Sequence, residues 1–293
     1  MQHIKSEKGD MEVELSNFLI RSITGFLGGC FLIWMIYLGF LPFFLFVAFL
    51  AVLGLMEFYS LAYKIGYKCN IFFGVIISIL ISSMFFLTKG NFSFDKYEMF
   101  LPLGFSVFFV LLFSSSIFFT KKRNVEDLFL NSAFTITGVF YVSWLFNHLI
   151  LIREIPVYGR DYVFILFFCV WALDIFAYIF GMKFGKHRLA EKISPKKSIE
   201  GSIAGFVFCV LTSMLLHYIF KTNFGLINSV YIGLIIGIFG QLGDLFESLI
   251  KRAALEKDSG NILPGHGGIL DRFDSIIFTA PLFYYFVRFF VAS

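Results

Sequence analysis

Apolar runs of about 20 residues recur along this chain, and each is long enough to cross a lipid bilayer as a helix. Hydrophobic residues make up 58% of the 293 positions and charged residues only 15%, a balance that excludes a soluble globular domain. We therefore predict an all-α, polytopic integral membrane helix bundle with about nine transmembrane helices. The predicted spans lie near residues 18–38, 42–63, 71–88, 99–119, 128–152, 162–182, 201–220, 228–247 and 276–291.

The distribution of Lys and Arg predicts how these spans are oriented. With the N-terminus in the cytoplasm, 18 of the 24 Lys and Arg residues fall on the cytoplasmic side, in agreement with the positive-inside rule. The two most polar loops, 183–200 and 248–275, are then cytoplasmic. The basic residues are dispersed and the net charge is only +4, so the sequence indicates no nucleic-acid-binding surface.

These patterns divide the chain into three regions. Residues 1–17 form a polar cytoplasmic tail, and residues 18–160 contain the N-terminal transmembrane helices. Residues 161–293 contain the C-terminal transmembrane helices and both polar loops. We expect the chemistry in this third region because it holds the densest group of charged residues.

The segment 244–274 carries many polar residues between two strongly apolar spans. Its first polar side chains recur at intervals of three or four positions and would share one face of a helix; they are Asp244, Glu247, Ser248 and Lys251. Asp271 and Asp274 would share a face of the last helix if that helix begins near Leu270. A turn rich in Gly and Pro at 264–268 separates the two helices and lets backbone N–H groups approach a ligand closely.

Two helix ends that carry carboxylates can therefore face each other across this turn. Carboxylate oxygens suit Mg²⁺, which proteins commonly hold through one or two carboxylates together with substrate phosphates. Lys251, Lys257 and Arg272 would neutralise the remaining phosphate charge. The segment thus predicts a site for Mg²⁺ and a phosphorylated substrate, although any single charged residue here also fits a solvated interfacial loop.

A second polar segment, 194–205 with the sequence SPKKSIEGSIAG, admits two interpretations. Lys196 and Lys197 precede a predicted helix that opens at Ser198, and a helix N-terminus beside lysines favours a bound phosphate. Alternatively, the lysines anchor the helix at the cytoplasmic side, Ser198 caps it, and the glycines that follow pack against a neighbouring helix. The segment alone favours the second interpretation.

Two acidic residues lie inside predicted spans. Asp174 is in the sixth span, where a carboxylate costs about 2.5–3.5 kcal/mol on insertion scales and needs a partner or a water-filled cavity. We therefore predict a functional role for Asp174. Glu57 lies near the cytoplasmic end of the second span, and the nearby Lys64 predicts a local ion pair.

The segment 248–274 closely resembles the signature of the phosphatidate cytidylyltransferases, also called CDP-diacylglycerol synthases. The matching positions are Ser248, Lys251-Arg252, Lys257-Asp258, Gly260, Leu263-Pro264, His266-Gly267-Gly268, Asp271-Arg272 and Asp274. Asp174 and the run 194–201 are similar to two further polar features of that family. The resemblance covers the C-terminal half in detail, whereas residues 1–160 match only as a set of apolar spans.

The resemblance implies that phosphatidate attacks the α-phosphorus of CTP and releases pyrophosphate. It also implies a Mg²⁺ cofactor with K⁺ as a candidate second cation, and a homodimer. The Lys and Arg count places the active site on the cytoplasmic face. The lack of a transit-like N-terminal sequence favours the bacterial inner membrane over a eukaryotic organelle. The expected catalytic residues are Asp271, Asp274, Lys251, Arg272 and His266. The expected substrate-binding residues are Lys196, Lys197, Ser198, Ser248, Lys257, Gly267 and Gly268. The expected metal ligands are Asp174, Asp244, Asp271 and Asp274.

Two other functions fit part of the pattern. A CTP-dependent lipid or polyprenol kinase would need similar metal and phosphate contacts but would transfer the γ-phosphoryl group. A cation-coupled transporter would use the intramembrane acids as ion sites. The sequence shows no obvious internal repeat, which counts against a transporter built from inverted halves.

Overall fold

The structure of the protein, a computed structural model, describes residues 23–88, 110, 114, 124–263 and 265–291. The predicted tail 1–17 lies outside these residues. So does the predicted span 99–119, apart from its two described positions.

The described part of the chain is built almost entirely from helices. The α-helices are α1 (Ile23–Leu38), α2 (Phe40–Ile65), α3 (Ile71–Thr88), α4 (Val125–Gly138), α5 (His148–Glu154), α6 (Gly159–Phe184), α7 (Ile199–Phe220), α8 (Leu226–Ala253) and α9 (Leu270–Phe290). A π-helical segment, Val139–Trp144, follows α4, and together with α4 and α5 it forms the continuous apolar stretch Val125–Glu154.

Six of these helical segments are long and apolar enough to cross a membrane. They are α2, the stretch Val125–Glu154, α6, α7, α8 and α9, whereas α1 and α3 are shorter apolar helices. Six predicted spans coincide with these six segments, which confirms the membrane helix bundle. The predicted spans 18–38 and 71–88 fall on the shorter helices α1 and α3 and stay predictions. The total of about nine spans and the cytoplasmic N-terminus stay predictions.

A two-stranded antiparallel sheet interrupts the helices in the predicted loop 183–200. Its strands are β1 (Arg188–Ala190) and β2 (Ser194–Ser198), and the predicted all-α class holds for the described part of the chain apart from this short hairpin. The strands form because a short turn lets their backbones exchange hydrogen bonds. The Glu200 carboxylate, in the first turn of α7, accepts a hydrogen bond from the backbone N–H of Lys186 at 3.1 Å and so ties the hairpin to α7.

Ser198 ends β2 and caps α7. Its side-chain oxygen accepts a hydrogen bond from the backbone N–H of Gly201 at 3.2 Å. This satisfies one of the N–H groups that have no partner inside the helix. The predicted N-cap is therefore confirmed.

Glycine allows two close helix contacts that position the acidic residues. A Cβ at Gly205 of α7 would lie 2.5 Å from the carbonyl oxygen of Leu173 in α6. A Cβ at Gly243 of α8 would lie 2.6 Å from the carbonyl oxygen of Asp274 in α9. The first contact confirms the predicted packing role of the α7 glycines, and the second brings Asp274 beside Asp244, the residue that follows Gly243.

Replacing Gly205 with Ala is expected to lower the melting temperature of the detergent-solubilised protein, because the added methyl group would press on the α6 backbone. Overpacking of this kind costs about 1–3 kcal/mol. The matched control is Gly28→Ala in α1, where nothing lies within 4 Å of the added group. Thermal unfolding followed by circular dichroism compares the two variants, and equal melting temperatures would contradict the close contact between α6 and α7.

Candidate active site

Polar residues from several helices and one loop converge at the end of the bundle where α8 meets α9. The loop between these helices spans residues 254–269 and is shorter than the predicted loop 248–275, because α8 continues through Ser248 and Lys251. Helix α9 begins at Leu270, so Asp271 and Asp274 both lie in its first turns and share one face of the helix.

Lys251 joins α8 to α9 through two buried carboxylates. Its Nζ forms ion pairs with Glu247, one turn earlier in α8, and with Asp271 Oδ1 in α9, the latter at 2.6 Å. The other oxygen of Asp271 accepts hydrogen bonds from the backbone N–H groups of Ser259 and Gly268, both at 2.8 Å, and lies 3.0 Å from Ser259 Oγ. Both oxygens of Asp271 are therefore engaged by protein donors, and its predicted role as a metal ligand stays a prediction.

Glu57 of α2 is a further buried carboxylate at this place. Its Oε1 accepts a hydrogen bond from the backbone N–H of Ile269 at 2.8 Å. Its Oε2 accepts hydrogen bonds from the backbone N–H of Leu270 at 2.9 Å and from Ser259 Oγ at 2.8 Å. Helix α2 thus contacts both the loop and the start of α9.

The predicted ion pair between Glu57 and Lys64 is wrong. Lys64 instead pairs with Glu256, in the loop after α8, at 2.8 Å. Glu57 and Lys64 are two helical turns apart, about 10 Å along the axis. Glu57 is only 5% exposed, and the loop supplies donors that lie closer to it than Lys64 does.

Four acids form what we call the acid cluster: Asp174 of α6, Asp244 and Glu247 of α8, and Asp274 of α9. Asp274 is close enough to the other three for their negative charges to repel one another. Two lysines enter the cluster, since Lys197 of β2 pairs with Asp244 and Lys251 pairs with Glu247. Oε1 of the fully buried Glu247 has no hydrogen-bond partner within the described residues. Four carboxylates beside two lysines leave an excess of negative charge that a cation can neutralise.

Tyr141, in the π-helical segment, faces the acid cluster and was not found by sequence reasoning. Its ring packs against Phe246 and Phe278, with ring centroids 5.1 and 6.0 Å away. Its buried hydroxyl has no hydrogen-bond partner in the described part of the chain, and three members of the acid cluster lie within electrostatic range. π-Helical turns often occur at functional sites, but no pattern in VFYVSW predicts one.

A cavity of about 520 Å³ opens between the loop and the start of α9. It is lined by Lys257, Asp258, Asn261, Leu263, Gly265, His266, Gly267 and Arg272. The predicted substrate-binding residues Lys257 and Gly267 are among them, and so are the predicted catalytic residues His266 and Arg272. Arg272 Nε donates a hydrogen bond to the carbonyl oxygen of His266 at 2.8 Å, which orients the guanidinium group. Lys, Arg and His together suit a polyphosphate ligand.

Five predicted substrate-binding residues lie outside this lining: Lys196, Lys197, Ser198, Ser248 and Gly268. The backbone N–H of Gly268 already donates to Asp271, and Ser198 caps α7. Lys196 is exposed on β2, and Ser248 is buried in α8. The cap and the glycine packing agree with the second interpretation of the segment 194–205, except that Lys197 turns towards the acid cluster.

Replacing Lys251 with Met is expected to destabilise the protein by about 3–5 kcal/mol, because two buried carboxylates lose their shared cation. The matched control is Lys257→Met, since Lys257 is exposed and no ion pair is found for it among the described residues. Chemical unfolding in detergent measures both variants. A Lys251→Met protein as stable as the control would contradict the bridging role of Lys251.

Comparison with known proteins gives the same family as the signature. A family model described as the cytidylyltransferase family matches residues 19–290. The chain is 36% identical to the phosphatidate cytidylyltransferase of Bacillus subtilis over 217 residues, which cover 73% of this chain and 78% of that protein. It is 44% identical over 154 residues to the phosphatidate cytidylyltransferase of Staphylococcus haemolyticus, covering 53% of this chain and 58% of the relative. It is 52% identical over 121 residues to that of a Synechocystis strain, covering 41% of each chain. Because the family model covers nearly all of the sequence, the chain belongs to the cytidylyltransferase family.

Proposed function

We propose that this protein transfers the cytidylyl group of CTP to phosphatidate, giving CDP-diacylglycerol and pyrophosphate in phospholipid biosynthesis. The observation that carries the proposal is the cationic cavity, which opens beside the acid cluster at one end of a bundle of apolar helices. A water-soluble triphosphate can enter this cavity from solvent. Asp174 is exposed on the side of the bundle, where a lipid phosphate can approach from the bilayer. Relatives named phosphatidate cytidylyltransferase support the same reaction.

The reaction demands little acid–base chemistry from the protein. The nucleophile is a phosphate monoester with a second pKa of about 6, so it is already ionised near neutral pH. Its oxygen attacks the α-phosphorus of CTP, a new P–O bond forms, and the bond to the β-phosphate oxygen breaks as pyrophosphate leaves. The protein must therefore align the two phosphates and neutralise their charge.

Three side chains of the cavity are suited to bind the triphosphate: Lys257, His266 and Arg272. Arg272 offers a planar set of donors for phosphate oxygens. It also lies within electrostatic range of Asp174, so a phosphate bound to Arg272 would lie next to the acid cluster. Lys251 remains paired with its two carboxylates and acts by holding them in position.

The acid cluster fits Mg²⁺ as an ion that binds together with the nucleotide. Within residues 23–88, 124–263 and 265–291, no group of three or more His, Cys, Asp or Glu side chains is arranged as a complete metal site. Mg²⁺ commonly uses only one or two carboxylates and takes its other ligands from substrate phosphates and water. One or two carboxylates of the set Asp174, Asp244 and Asp274 would hold the ion, and the bound ion would neutralise charge on the reacting phosphates. K⁺ is the candidate second cation.

The protein is an integral membrane protein, since six of its helical segments are long and apolar enough to cross a membrane. We assign it to the bacterial inner membrane, with the active site facing the cytoplasm that supplies CTP. The bacterial relatives and the bias of Lys and Arg towards one side support this assignment. A homodimer stays a prediction from the family resemblance.

The alternative functions differ in the group that is transferred. A lipid or polyprenol kinase would move the γ-phosphoryl group to the lipid and release CDP. A cation-coupled transporter would move ions and turn over no CTP. The names of the relatives favour neither alternative.

The transfer reaction can be followed with CTP that is labelled either in its cytidine or in its γ-phosphate. We expect the purified protein in detergent, with phosphatidate and Mg²⁺, to transfer the cytidine label to the lipid and to release the γ-phosphate label as pyrophosphate. Two parallel incubations, one with each label, measure the transfer by thin-layer chromatography. EDTA is expected to abolish both signals. Label from the γ-phosphate in the lipid would establish the kinase instead, and label that stays in CTP with every lipid and metal tested would contradict both enzymes.

Replacing Asp271 or Asp274 of α9 with Asn is expected to change different properties of the protein. Asp274→Asn should raise the Mg²⁺ concentration needed for half-maximal activity by about tenfold or more without lowering the melting temperature. Asp271→Asn should lower the melting temperature, because breaking a buried ion pair costs about 3–5 kcal/mol. Initial rates across a Mg²⁺ series and thermal unfolding separate the variants. If instead Asp271→Asn raises the Mg²⁺ requirement and Asp274→Asn lowers the melting temperature, Asp271 is the metal ligand.

A further inference from the structure

We propose that Glu57 is a positioning residue of the active site, whose carboxylate holds the cavity-lining loop and the start of α9 in the geometry that binds CTP. The proposal rests on the proposed cytidylyl transfer and assigns a part in it to α2, in the N-terminal half of the chain. Glu57 is separated from its partner Ile269 by 212 positions and lies outside the signature segment.

One carboxylate contacts two points of the loop. The Ser259 hydroxyl, in the first half of the loop, donates a hydrogen bond to Glu57, while Ile269 and the following residue donate their backbone N–H groups from the end of the loop. Most residues that line the cavity lie between Ser259 and Ile269; they are Asn261, Leu263, Gly265, His266 and Gly267. Their shared contact with Glu57 therefore holds Ser259 and Ile269 close together.

The charge of Glu57 is balanced by hydrogen-bond donors rather than by a basic side chain. Glu57 is 5% exposed, and no ion pair is found for it in the part of the chain that the structure describes. Two of its donors are backbone N–H groups at the start of α9, which have no partner inside the helix and lie at the positive end of the helix dipole. A carboxylate fixed there also fixes the first turn of α9, which carries Asp271 and Arg272.

Two glycines of the signature leave room for this carboxylate. A Cβ at Gly260 would lie 2.8 Å from Glu57 Oε1, and a Cβ at Gly268 would lie 2.4 Å from Glu57 Oε2. The Ser259 hydroxyl oxygen lies between Glu57 and Asp271, at 2.8 and 3.0 Å. A displacement of Glu57 would therefore move the loop and also disturb the hydrogen bonds of Asp271.

Glu57→Gln tests the proposal, because it keeps the size of the side chain but places an NH₂ group against backbone N–H donors. The KM for CTP is expected to rise by about tenfold or more, as for a reacting group misplaced by about 1 Å, while the KM for phosphatidate changes by less than about twofold. Initial rates in mixed micelles, with each substrate varied in turn, measure both constants. The control is Glu126→Gln, at an exposed glutamate in the first turn of α4, which should leave both constants unchanged.

Gly260→Ala reaches the same contact without altering Glu57, because the added methyl group would push the carboxylate aside. It is expected to raise the KM for CTP while leaving the KM for phosphatidate nearly unchanged. If Glu57→Gln cannot be purified in a folded form, Gly260→Ala tests the proposal by itself. A KM for CTP within about twofold of wild type in the folded variant would overturn the proposal. An equal rise in the KM of both substrates would also overturn it, since that result indicates a general loss of structure.

Calorimetric titration of CTP without phosphatidate separates this proposal from the proposed function. A wild-type protein that binds CTP but transfers no cytidylyl group would contradict the function while leaving the role of Glu57 open to measurement. In that case, binding weakened by about tenfold in Glu57→Gln supports the positioning role, and unchanged binding overturns it.

Discussion

The ion pair between Lys251 and Asp271 is the contact on which the rest of the site depends. Two charges inside an apolar bundle lose their hydration, and this loss can exceed their mutual attraction unless other partners satisfy them. Here Glu247 shares the lysine, and backbone N–H groups of Ser259 and Gly268 donate to the aspartate. The pair therefore joins the end of α8, the loop and the start of α9 into one unit.

The acids of this site divide into two kinds. Glu57 and Asp271 accept hydrogen bonds from several protein donors, which fixes their positions and uses their oxygens. Asp274 instead lies among other carboxylates, and its close neighbours repel its charge. The first kind is suited to shape the cavity, and the second is suited to attract a cation. Acids of both kinds are needed, because a cation site is useful only if the phosphates it neutralises are held beside it.

Local features of this site could be predicted from the sequence, whereas its long-range contacts could not. The spacing within 244–251 follows the helical period, and the structure accordingly pairs Lys251 with Glu247 one turn away. The start of α9 was less well predicted, because the predicted span began at 276 and a start near Leu270 entered only as a condition. Tyr141 was not identified, and Glu57 was assigned the wrong partner. The residues that they contact lie about 100 or more positions away, and no periodicity or motif near either residue predicts such contacts. The hairpin was missed because its two strands have only three and five residues.

A crystal structure with Mg²⁺ and α,β-methylene-CTP, which cannot release pyrophosphate, would show whether the nucleotide binds in the cavity. We expect its triphosphate to contact Lys257, His266 and Arg272, with the α-phosphorus towards Asp274 and the ion between them. A nucleotide bound elsewhere, for example on the exposed Lys196 of the hairpin with the cavity empty, would exclude this cavity as the CTP site.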